Sequence, residues 1–99
     1  MKLELESAPT VMNPDADAIV ASLASVRGFA ILSRDQITYI QTSGSAREGF
    51  ILEYQDGDTD LHYRCPDELS LEQVTRAFVS YAQGMDSWKT SLRWDKEDF

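Results

Sequence analysis

Residues 49–65, GFILEYQDGDTDLHYRC, decide the fold. Phe50, Leu52 and Tyr54 alternate with Ile51, Glu53 and Gln55, the period of a strand with one buried face. Leu61, Tyr63 and Cys65 repeat the pattern against His62 and Arg64. Between the two runs, Asp56-Gly57-Asp58-Thr59 supplies residue types that tolerate the positive φ of tight turns. The expected unit is a β-hairpin. A turn centred on Gly57-Asp58 sets Leu52 opposite Tyr63, Tyr54 opposite Leu61 and Glu53 opposite His62. A turn centred on Asp56-Gly57 sets Glu53 opposite Asp60, where like charges repel, so the first register is preferred.

Outward on the N-terminal side, residues 43–48 (SGSARE) read as a polar loop. Residues 36–42 hold Ile37, Thr38, Tyr39 and Ile40 and read as a β-branched strand, joined through Arg34-Asp35 to a short apolar strand over 29–33. Asn13-Pro14-Asp15 marks a helix start. Asn13 suits the cap, Pro14 the first helical position, and Asp15 and Asp17 the positive end of the helix dipole. Ala16, Ile19, Val20, Leu23 and Val26 follow at helical spacing, with Gly28 as the stop. Residues 2–6 alternate Leu3 and Leu5 with charges, as a short edge strand would.

On the C-terminal side, Pro66 ends the hairpin because proline cannot donate to a ladder. Ser70 with Gln73 three residues on is a capping-box signature. Leu71, Val74, Ala77, Phe78, Tyr81 and Ala82 then line one face of a second helix, closed by Gly84. Trp88, Thr90, Leu92 and Trp94 alternate with Lys89, Ser91, Arg93 and Asp95, which predicts a last strand. The expected fold is one α+β domain over residues 1–99: an antiparallel sheet of about five or six strands with two helices packed on one face. Leu52, Tyr63, Phe78, Leu92 and Trp94 are its expected core.

Composition bounds function more than it names it. With 99 residues, 42% of them hydrophobic, the chain buries one modest core. Seventeen acidic against nine basic residues give a net charge of −8, which repels phosphate backbones and disfavours nucleic-acid binding. An acidic surface suits a basic protein partner; solubility alone also accounts for it. The lone Cys65 excludes an intramolecular disulfide framework. The N-terminal MKLELESAPT has no apolar run suited to a signal peptide, and no stretch approaches a membrane span, so a cytoplasmic location is expected.

No residue reads as catalytic. His62 is the only histidine, so acid–base work near neutral pH would centre on it, but facing Glu53 it makes a cross-strand pair. Cys65 shares the parity of Leu61 and Tyr63 and reads as a small core residue. Residues 56–60 copy the opening of a calcium loop, yet its sixth place, which demands glycine, is Leu61, so no metal or other cofactor is expected. Two acidic clusters are the candidate partner-binding residues. Asp56, Asp58 and Asp60 project from the hairpin tip, and Asp95, Glu97 and Asp98 lie at the C-terminus.

Two stretches carry a resemblance. Asn13-Pro14 opens a helix after a short strand. Asp67-Glu68-Leu69-Ser70 leads through a helix ending Phe78-Val79-Ser80-Tyr81-Ala82-Gln83-Gly84 to Leu92-Arg93-Trp94. Together they resemble the first-numbered immunity-protein family of bacterial polymorphic toxin systems. The chain is also similar to small uncharacterised bacterial proteins of the FxLEYQ…HYR type. The first resemblance implies a non-enzymatic inhibitor that binds and masks a toxin domain. The alternative is a stand-alone interaction protein, self-associating as a homodimer through an exposed sheet edge.

Overall fold

A computed structural model of the chain describes residues 1–97. In order, the elements are β1 (Lys2–Leu5), β2 (Ala8–Met12), α1 (Ala16–Ala24), β3 (Arg27–Ser33), β4 (Thr38–Ser45), β5 (Gly49–Asp56), β6 (His62–Arg64), α2 (Leu71–Ala82), α3 (Ser87–Thr90) and β7 (Asp95–Lys96). The strands form an antiparallel sheet in the order β2-β1-β3-β4-β5-β6-β7. The expected α+β class holds, with seven strands and a third, short helix among the described residues.

Sheet and helices meet in one core. Leu3, Leu32, Ile40 and Tyr54 form a cross-strand row, with Leu5, Ala30, Thr42 and Leu52 in the next. Ile19 and Leu23 of α1, and Val74, Ala77 and Phe78 of α2, are buried in the same cluster. The opposite face of the sheet carries Phe29, Ile31 and Ile51, and Phe29 and Ile51 are each 40% exposed there.

The capping box of α2 forms as expected: the Ser70 hydroxyl accepts from Gln73 N, and the Gln73 side chain accepts from Ser70 N. For α1 the cap is Asp15 rather than Asn13. The Asp15 carboxylate accepts from Ala18 N at 2.8 Å, whereas Asn13 sits at φ 49° and accepts from the N-terminal ammonium. Asn13 is instead tied to Met1 by both its side chain and its backbone N–H, in a left-handed conformation that an N-cap does not adopt. The helix ends at Ala24, so Gly28 lies within β3 instead of stopping it.

Residues 2–5 are an interior strand and not an edge, because residues 8–12 return beside them as β2. That outer strand contains Pro9, and the other edge, β7, has two residues. Proline and shortness are both devices that blunt edge-to-edge pairing.

The central hairpin adopts neither expected register. Glu53 lies opposite Arg64, Tyr54 opposite Tyr63, and Gln55 opposite His62. Asp56 N donates to Leu61 O, Leu61 N to Asp58 O, and Asp60 N to the Asp58 carboxylate, so residues 57–60 are all loop. Gly57 N instead donates to Ile37 O in the neighbouring β3–β4 connection. That tertiary bond and the Asp58 side-chain turn favour a wider loop over a two-residue one. The slip is by two residues, so the faces are unchanged except near the tip, where Leu61 is exposed.

The last expected strand is the larger error. Residues 87–90 form a helical turn, and pairing begins only at Asp95. Trp88 and Leu92, four apart, share a helical face as readily as a strand face, and Thr90 between them is exposed. Trp88 N and Ser87 Oγ bond Ser80 Oγ, and the Trp94 indole donates to Lys89 O. Both indoles stand edge-on to Tyr54, at 4.8 and 4.6 Å, which is why the segment wraps instead of extending.

Candidate functional site

In an antiparallel meander, alternate turns lie at the same end of the sheet. The β3–β4 connection therefore sits beside the β5–β6 loop, and Gly57 N bonding Ile37 O ties them together. Asp35 of the first thus joins Asp56, Asp58 and Asp60 of the second. The C-terminal segment runs antiparallel to β6, with Glu97 N donating to His62 O, and returns toward the same loop. Asp95 lies farther back, opposite Arg64. Asp98 lies outside the described residues.

Asp35, Asp56, Asp58, Asp60 and Asp95 are exposed, Glu97 is half-buried, and no ion pair involves any of them among the described residues. Asp35 instead accepts from Ile37 N, and this backbone bond holds its carboxyl below the usual value. Asp35 was not among the expected site residues. The alternation of turns in a meander was the available signal for it.

His62 is buried at 5% exposure, on the sheet face away from the helices. Its Nδ1 is 3.1 Å from Gln55 Oε1, and its Nε2 is 3.5 Å from Glu53 Oε1, so the Glu53 contact is diagonal and not directly cross-strand. Gln55 Nε2 donates to Ile37 O and Gln41 Nε2 to Glu53, orienting both acceptors toward the imidazole. Gln55 Oε1 also accepts from the Tyr39 hydroxyl. The arrangement ties β4, β5 and β6 together through polar side chains.

Cys65 is free and buried in the core, as its parity predicts. Among the described residues no three potential metal ligands converge, and no helix is long and apolar enough to cross a membrane.

Close to the acidic end two phenols are raised above their ordinary value. Burial, reinforced by Tyr63 and Asp56, pushes Tyr54 up to about 12. Burial also raises Tyr81, with Arg34 opposing and Asp56 and Asp35 adding to it. Both therefore remain neutral hydrogen-bond donors at ordinary pH. Compared with protein-family models, with curated proteins and with solved structures, the chain shows no match to any.

Proposed function

We propose that the chain is a non-enzymatic protein-binding domain whose partner presents a basic surface. In the form the family resemblance implies, it is a bacterial immunity protein that masks a toxin domain in the cytoplasm. The observation that carries this reading is the gathering of Asp35, Asp56, Asp58, Asp60 and Glu97 at one end of the sheet, with no ion pair to any of them among the described residues. Arg34 and Lys89 stand nearby but pair with none of these carboxylates, and the remaining acidic excess raises the rate of encounter with a basic surface. The helix-free face carries Phe29, Ile31 and Ile51 toward the other end of the sheet, near the β4–β5 turn, so this apolar patch is separate from the acidic end. Self-association through a sheet edge is the less favoured reading, because Pro9 interrupts one edge and the other is two residues long among the described residues.

The test begins with recovery of partners on the tagged chain from its native host. Association is then timed for wild type and for a variant with Asp56, Asp58 and Asp60 replaced by asparagine. The variant should fold normally, since all three side chains are exposed. Its on-rate should fall at low salt, and the wild-type on-rate should fall as salt is added. Equal on-rates at low salt would remove the hairpin tip from the interface, and recovery of no basic protein would leave solubility as the role of the charge.

A further inference from the structure

Behind the acidic end lies a hollow of about 160 Å³ among the β3–β4 turn, the end of β5 and the α2–α3 connection. Arg34 and Lys89 line it together with Asp56 and Asp86. Two cations and two carboxylates so placed ordinarily pair, yet no ion pair joins any of the four among the described residues. The cations rest over aromatic rings instead. The Arg34 guanidinium is 4.9 Å from the centre of the Tyr81 ring, and the Lys89 ammonium is 5.7 Å from that of Tyr54. Tyr81, another lining residue, is only 3% exposed, and its hydroxyl has no hydrogen-bond partner among the described residues. A buried hydroxyl without a partner is uncommon enough to call for an explanation.

These groups ask for opposite things. The guanidinium, the ammonium and the Tyr81 hydroxyl lack an acceptor, preferably an anionic one. Asp56 and Asp86 lack a cationic donor. The volume corresponds to about five waters, too small for a nucleotide or a folded segment. We infer that the hollow binds a small zwitterion of the α-amino-acid type, its carboxylate toward Arg34, Lys89 and the Tyr81 hydroxyl and its ammonium toward Asp56 and Asp86. Trp88 supplies the apolar wall. This inference does not rest on the protein-partner reading: either could fail with the other intact, because the ligand is a free small molecule.

The test is an NMR titration of the isotopically labelled chain with the free α-amino acids one at a time, and with acetate and methylamine as single-charge probes. At least one small amino acid should shift the amides of Arg34, Asp56, Asp86 and Lys89 with a Kd of about 1 mM or tighter. Acetate and methylamine should each bind about tenfold more weakly. Arg34→Gln and Asp86→Asn alter exposed side chains and should each weaken the amino acid about tenfold, with unchanged spectral dispersion elsewhere. Tyr81→Phe removes only the hydroxyl and should weaken binding without lowering the melting temperature. Absence of localised shifts up to about 10 mM amino acid would overturn the inference. So would methylamine binding as tightly as any amino acid, which would make the hollow a seat for a basic side chain.

Discussion

Gly44 and Gly84 both have positive φ, 139° and 72°, but their surroundings differ completely. A Cβ on Gly84 meets nothing within 4 Å, so Gly84→Ala bears only the strain of a left-handed alanine, about 1 kcal/mol. Restriction of the unfolded chain offsets part of that, leaving a net loss below about 1 kcal/mol. A Cβ on Gly44 would fall far inside contact distance of the Gly49 carbonyl oxygen, and 3.1 Å from both Gly49 C and Phe50 Cα. All three are backbone atoms of the paired strand, so no rotamer change relieves the overlap. Strain in a sparsely populated backbone region adds about 1–3 kcal/mol. Separating β4 from β5 at the Ser45–Gly49 and Gly44–Phe50 pairs costs a further hydrogen bond or two, about 1 kcal/mol each. Gly44→Ala should therefore lose about 3–5 kcal/mol, a large part of the roughly 5–15 kcal/mol that holds a domain of this size. Urea unfolding of both variants beside wild type measures the difference. At about 4–8 °C per kcal/mol, the thermal melts should separate by some 10–30 °C. If Gly44→Ala costs no more than Gly84→Ala, the close β4–β5 approach at this end of the sheet is wrong.

Other substitutions test the core and the charges. Phe78 is fully buried and Trp94 only partly so; Phe78→Ala should cost about 3–5 kcal/mol and Trp94→Ala about 2, and equal losses in urea melts would contradict the partly buried placement of the indole. Asp67 accepts two bonds from the Arg93 guanidinium, and those bonds hold its carboxyl below the ordinary 3.8. A lowered folded value means stability that is present above 3.8 and lost as pH falls through the lower, folded value. Asp67→Asn should therefore flatten the loss of stability on acidification in that range, and identical acid slopes would count against the pair.

Much of the fold is local and was legible in the residues. The capping box of Ser70 and Gln73, the helical face of Val74, Ala77 and Phe78, and the alternation of Phe50, Leu52 and Tyr54 each depend on neighbours within four positions. Side-chain chemistry and backbone period decide such features, so the burial of Cys65 and Phe78 followed directly. What failed involved distance along the chain. The hairpin register depends on the bond from Gly57 to Ile37, twenty residues upstream, and on a side-chain turn at Asp58. The segment from Trp88 to Trp94 alternates like a strand, yet contact of both indoles with Tyr54 makes it a helical turn and a wrap. Residues 8–12 carry a proline and little periodicity, and became a strand because β1 offered an open edge. The acidic clusters were visible as composition, but their meeting beside Asp35 was not. Charge adds up along a sequence without regard to place, whereas the field a partner meets depends on which loops the sheet brings to the same end.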